Sequence, residues 1–237
     1  MFRALPATAR DTAHVPSVDW VTFDCYGTLI DWEGGIYAAL APLLPRSIDR
    51  DDLARQYIAV EAEVEKGDYL KYREVLDRAS RVLLERLGRP LPTTKPSPLP
   101  PSLANWRPFP EVPAALRALR ESGRRIAILS NVDRDLIATS IPKLGIDPDL
   151  VVTAEDAGSY KPAYGHWRAF QTRSAATPVK TVHVGASLYH DMAPAHALGY
   201  RTVFIDRHGE KLDGVRPTRV LRDLSGLPDV IADLARD

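Results

Sequence analysis

Cysteine is nearly missing from this chain. Cys25 is the only one in 237 residues, which excludes an intrachain disulfide and fits a reducing compartment. A net charge is missing too. Lys and Arg total 31, Asp and Glu total 31, so no overall field draws the protein to nucleic acid or an anionic membrane. No apolar run approaches the roughly 18 residues of a membrane span. Residues 1–16 lack the apolar segment of a secretion signal and read as a flexible N-terminal extension. The expectation is a cytoplasmic protein with neither nucleic acid nor membrane as partner.

What is present is a change of rhythm along the chain. Residues 20–23 form a short apolar run that ends at Asp24 and a turn carrying Gly27 and Thr28, the pattern of a strand with a reactive tip. A glycine-containing exit at 31–35 leads to an expected helix over 36–44. A second helix is expected from about 53, capped by Asp49, Asp51 or Asp52, and a third over 72–87 stopped by Gly88. Six prolines between 89 and 101 argue for an extended return segment without regular helix. From 111 onward strands alternate with helices: helix 112–122, strand 126–131, helix 133–144, strand 150–153, helix 163–174, strand 181–185, helix 189–198, strand 201–205 and helix 228–235. This alternation predicts an α/β fold with a parallel sheet covered on both faces.

The strand tips carry the polar residues. Asp24 follows the first strand, Ser130 and Asn131 the second, Lys161 the third and Asp191 the fourth. Singly, each has a structural explanation as a helix cap or a solvated charge. In a parallel sheet all of them gather at one edge. A carboxylate in a dry site can attack carbon or phosphorus and form an ester. Lys161 would keep Asp24 ionised, Thr28 and Ser130 would orient it or the substrate, and Asp191 would deprotonate the water that cleaves the ester.

Four segments, Asp24-Cys25-Tyr26-Gly27-Thr28-Leu29, Leu129-Ser130-Asn131, Tyr160-Lys161-Pro162 and the run 183–191 ending at Asp191, resemble in order and spacing the motifs of the haloacid dehalogenase superfamily. The resemblance implies a Rossmann-like doubly wound core at 17–33 and 106–237, with an inserted helical cap and its Pro-rich return at 34–105.

Within that superfamily the phosphatases carry a second aspartate two positions after the nucleophile and a magnesium-binding acid after the last glycine. Here those positions are Tyr26 and Ala186. Tyr26 instead resembles the 2-haloacid dehalogenases, whose halide leaving group needs no proton and whose attack on carbon needs no metal. The resemblance therefore implies a metal-independent hydrolase without cofactor. It would take a small 2-haloacid to the 2-hydroxyacid, with a homodimer left open. It further implies Arg55 as the halide receiver, Asn131 as a donor to halide or carboxylate, and Tyr26, Trp32 and Tyr72 as apolar walls. The chain departs from that pattern at Ala186 and Leu188, which stand for a serine and an asparagine, and at Trp167, where an aromatic hydroxyl is expected unless Tyr164 supplies it. A magnesium-dependent phosphatase and a non-catalytic binding protein of the same fold are the alternatives.

Overall fold

The computed structural model describes residues 18–45 and 47–236, so the expected extension at 1–16 lies outside the described residues. Strand β1 (Trp20–Phe23) is followed by helices α1 (Trp32–Leu40), α2 (Arg50–Val64), α3 (Tyr72–Arg86), α4 (Leu99–Ser102) and α5 (Val112–Glu121). Strand β2 (Arg125–Ser130), helix α6 (Arg134–Ala138), strand β3 (Leu150–Thr153) and helices α7 (Ala154–Ala157) and α8 (Gly165–Ser174) come next. Strand β4 (Thr181–Gly185), helix α9 (Ala193–Ala197), strands β5 (Arg201–Ile205) and β6 (Arg219–Leu221), and helix α10 (Leu227–Leu234) complete the chain.

The six strands form one parallel sheet in the order β3-β2-β1-β4-β5-β6. This is the expected Rossmann-like winding, which reverses direction between β1 and β4 and opens a crevice there. Successive strand residues point to opposite faces, and both faces are apolar because both are covered. Val21, Phe23, Ile126, Ile128, Val182 and Val184 join one core with residues of α5 and α10. Trp20, Ala127, Leu129 and Val152 join a second core with Trp167 and Phe170 of α8 and Ala195 of α9.

Local chemistry moved several boundaries from those expected. Helix α1 begins at Trp32 rather than 36, because the Asp31 carboxylate accepts the Gly34 N–H at 3.0 Å and caps it. The glycines there do not mark an exit loop. A Cβ on Gly35 would stand 2.3 Å from the Trp106 indole, so the residue permits close packing between α1 and the return segment. Asp49 is the cap of α2. The Pro-rich return holds the short helix α4 despite its prolines. They occupy its first turn, where a missing N–H costs nothing. The helix expected over 133–144 breaks into α6 and a 3₁₀ turn at Ile141–Lys143, where Pro142 supplies no donor. The helix expected over 189–198 splits into a π turn at Leu188–Met192 and α9. Helix α7 and the edge strand β6 were not expected. No helix among the described residues is long and apolar enough to cross a membrane.

Candidate active site

The tips of β1, β2 and β4 converge on one ammonium. Lys161 Nζ lies 2.8 Å from Asp24 Oδ1, 2.7 Å from Asp191 Oδ1 and 3.0 Å from the Leu129 carbonyl. The Lys161 and Asp191 side chains are each 1% exposed and that of Asp24 is 13% exposed, so Asp24 is the member open to a ligand. Thr28 donates its hydroxyl to Asp24 Oδ2 at 2.8 Å. Asp24 continues the sheet by donating its N–H to Val184 O at 2.9 Å, which fixes the carboxylate relative to the loop after β4.

Asp191 reaches this cluster because the π turn carries it inward. Its Oδ2 accepts the Ser187 N–H at 3.2 Å, and Oδ1 lies 3.5 Å from His183 Nε2. Gly185 makes room for it, since a Cβ there would sit 2.6 Å from the Asp191 carboxyl carbon. The electrostatics follow from burial and pairing. Burial works against the charge of Lys161, but Asp191 and Asp24 outweigh it and hold its pKa above the ordinary lysine value. Burial would raise Asp191, but Lys161 and His183 outweigh it, and the net shift is well below the usual carboxylate range. For Asp24 burial dominates and pushes its pKa up, with Lys161 opposing and the Asp191 charge adding to the rise.

The remaining expected residues take varied positions. Asn131 is turned onto the backbone of Lys161: its Oδ1 accepts the Lys161 N–H at 2.7 Å and its Nδ2 donates to the Lys161 carbonyl at 3.2 Å. It thus positions the lysine, and it also lines the cavity over Asp24 with a second Nδ2 hydrogen that the Lys161 carbonyl does not take. Ser130 lines the same cavity as Asp24 but makes no hydrogen bond to it. Its buried Oγ has no hydrogen-bond partner among the described residues. Tyr26 hydrogen-bonds Ser140 Oγ at 2.9 Å through its hydroxyl and meets Trp106 edge-on. Arg55 points its guanidinium at Asp52 on its own helix, and its side chain is 69% exposed. It shares a cavity with Asp24 but its charge is committed elsewhere. Trp167 is wholly buried and Tyr164 packs under Arg168, so neither replaces the expected hydroxyl.

A cavity of about 780 Å³ opens over Asp24. Its walls include Tyr26, Trp32 and Tyr72, as expected for apolar surfaces, and also Glu61, Glu65 and His190. Glu61 accepts the Tyr72 hydroxyl at 2.8 Å. Burial raises the pKa of Glu61, against the hydrogen bond from Tyr72. Burial, with the neighbouring Glu61, lifts Glu65 to about 8. Neither glutamate was singled out from the sequence. Arg207 was also missed. It donates to the Gly27 and Thr28 carbonyls at 3.2 and 2.9 Å, pairs with Glu111 at 2.7 Å and stacks over Phe109, so it braces the nucleophile loop. Its place just beyond the tip of β5 was the available signal.

A divalent cation does not fit this donor set. The Lys161 ammonium fills the place between Asp24 and Asp191, and Ala186 offers no oxygen after Gly185. Among the described residues no group of three or more His, Cys, Asp or Glu side chains is arranged to hold a metal ion.

Comparison with known proteins gives the family. The chain is 28% identical over 207 residues to a haloacetate dehalogenase of Moraxella sp. (strain B), covering 85% of this chain and 91% of that protein. It is 30% identical over 203 residues to a ribulose-1,5-bisphosphate 5-phosphatase of Halopiger xanaduensis, covering 78% and 84% respectively. The fold matches the L-2-haloacid dehalogenase of Xanthobacter autotrophicus with chloropropionic acid covalently bound, at a TM-score of 0.77, 18% identity and coverage of 91% and 98%. The profile of haloacid dehalogenase-like hydrolases matches residues 18–199, and the chain belongs to that hydrolase family.

Proposed function

We propose that this hydrolase displaces halide from a small 2-haloacid through an Asp24 ester and releases the 2-hydroxyacid. The observation that carries the reading is the carboxylate–ammonium pair Asp24–Lys161 at the floor of the cavity, with Tyr26 where a phosphatase needs an acid. An Asp24 carboxylate oxygen attacks C2 of the substrate, the carbon–halogen bond breaks, and the halide leaves with the electron pair. No proton is needed for that departure. Lys161 and Thr28 hold the nucleophile in line while Tyr26, Trp32 and Tyr72 exclude water. Asp191 and Asn131 hold the lysine. Arg55 takes the halide by exchanging Asp52 for it. The helical segment 34–105 acts as the cap that closes on the core.

The test is halide release from 2-chloro- and 2-bromopropionate by purified protein in chelator, with mass spectrometry of the Asp24 peptide after rapid quench. Halide release and an Asp24 adduct are expected, and neither with Asp24→Asn. A folded protein that releases no halide from either acid sinks the proposal. The 30% identity to a phosphatase makes phosphomonoesters with magnesium the second panel. Phosphate release there would replace dehalogenation as the reading.

A further inference from the structure

The ester needs a base for its hydrolysis, and Asp191 is poorly placed to be one. Its Oδ1 is held by Lys161 at 2.7 Å and its Oδ2 by the Ser187 N–H at 3.2 Å. It is almost wholly shielded from solvent, and its charge is already compensated. His190, its neighbour in the π turn, is different. It lines the cavity together with Asp24. Its Nδ1 lies 3.2 Å from Ser187 Oγ, and Ser187 Oγ accepts the His190 backbone N–H at 3.0 Å. One hydroxyl thus fixes both the backbone and the ring. The loop carrying it faces the nucleophile loop: a Cβ on Gly27 would lie 4.0 Å from Ala186 Cβ.

We propose that His190 is the general base of the second half-reaction, a catalytic residue that takes the proton from the water attacking the Asp24 ester. The assignment rests on the ester mechanism above. With the proton on Nδ1, Ser187 Oγ accepts from the ring through its second lone pair, and Nε2 keeps a lone pair for water. The water oxygen bonds to Asp24 Cγ as Nε2 takes one of its protons. The tetrahedral intermediate then expels the substrate alkoxide by breaking the Cγ–O bond. The imidazolium returns its proton to that alkoxide, giving the 2-hydroxyacid, and the regenerated Asp24 carboxyl loses a proton to solvent. Burial also keeps His190 below its ordinary pKa, opposed by Asp191, so the ring is neutral and able to accept.

The experiment compares wild type, His190→Gln and His190→Ala by rapid-quench halide release, steady-state turnover and the mass of the Asp24 peptide. The variants are expected to keep the first-turnover burst of halide, lose about 100-fold or more in steady-state turnover, and accumulate the ester. Added imidazole is expected to restore part of the turnover of His190→Ala. Asp191→Asn is expected to slow the burst itself, because it loosens Lys161. Folded His190 variants that turn over like wild type, or that lose the burst as well, overturn the assignment. A wild-type protein that releases no halide overturns the dehalogenase reading and this assignment with it. Halide release by wild type with an unaffected His190→Ala overturns only the base.

Discussion

At the scale of single residues the site is an arrangement for keeping one buried carboxylate charged. Burial favours the protonated form of Asp24, and Lys161 and Thr28 oppose it. The sign of the pH dependence follows. A protonated Asp24 cannot attack, so kcat/KM falls as pH drops through a pKa that lies above the ordinary carboxylate value. Thr28→Val removes a hydrogen bond to the charged form. Its acid limb is expected to move to higher pH, with a loss of about 10- to 100-fold in kcat/KM for a charged hydrogen bond worth ~1.5–3 kcal/mol. A pH–rate profile of the variant checks this, and an unchanged limb refutes it. Asp24 and Ser130 were singled out because they sit at strand tips, whereas Lys161 and Asp191 lie past α7 and in the π turn and were singled out by their order in the chain. The hold of Asn131 on the lysine was not foreseen, because a sequence cannot say which way an amide turns. Here the Lys161 backbone claims both of its ends.

At the scale of elements, the junction between the inserted helices and the sheet is built on a cap that crosses it. The buried Asp133 accepts the Tyr72 N–H at 3.0 Å and the Arg73 N–H at 2.9 Å. It thereby satisfies the N-terminus of α3 from the far side of the site. Tyr160 donates its hydroxyl to Leu70 O at 2.8 Å beside it. Asp133→Ala is expected to cost about 1–2 kcal/mol of unfolding free energy, the upper range for a lost N-cap, read from urea unfolding. Asp133→Asn is expected to cost less, since its one oxygen still accepts. Equal stability of all three proteins refutes the bridging role. The helices themselves were visible in the apolar spacing, but this cap was not. The N-cap position of α3 is Lys71, which makes no side-chain cap bond, and its replacement lies about sixty residues away.

At the scale of the whole molecule, the cavity mixes charges in a way that ties stability to pH. Glu65 has no hydrogen-bond or ion-pair partner among the described residues, and burial lifts its pKa to about 8 from an ordinary 4.5. The unfolded chain therefore releases this proton before the folded protein does. Between those two values folding holds a proton that unfolding gives up, so stability declines as pH rises and the loss is complete above about 8. The urea midpoint is expected to fall between pH 5 and 9, and Glu65→Gln to flatten that slope. The same slope in both proteins would show that Glu65 stays solvated. The ionised Glu65 would also repel an anionic substrate.

The sequence by itself determined the α/β alternation, the strand tips and the family, because these depend on periodicity and local order along the chain. All five expected strands were placed to within a residue, since apolar runs bounded by turns admit few other readings. The amphipathic period likewise placed the central turns of α2, α3, α5, α8 and α10. Helix ends, the π turn and the edge strand β6 were decided by contacts that local spacing does not encode. Only the tertiary structure brought Lys161 between Asp24 and Asp191, turned Asn131 onto the lysine backbone and placed Glu65 where burial raises its pKa. Those properties depend on which groups share a buried volume, and on how far water is kept from them. That is fixed when the sheet closes and the helices pack.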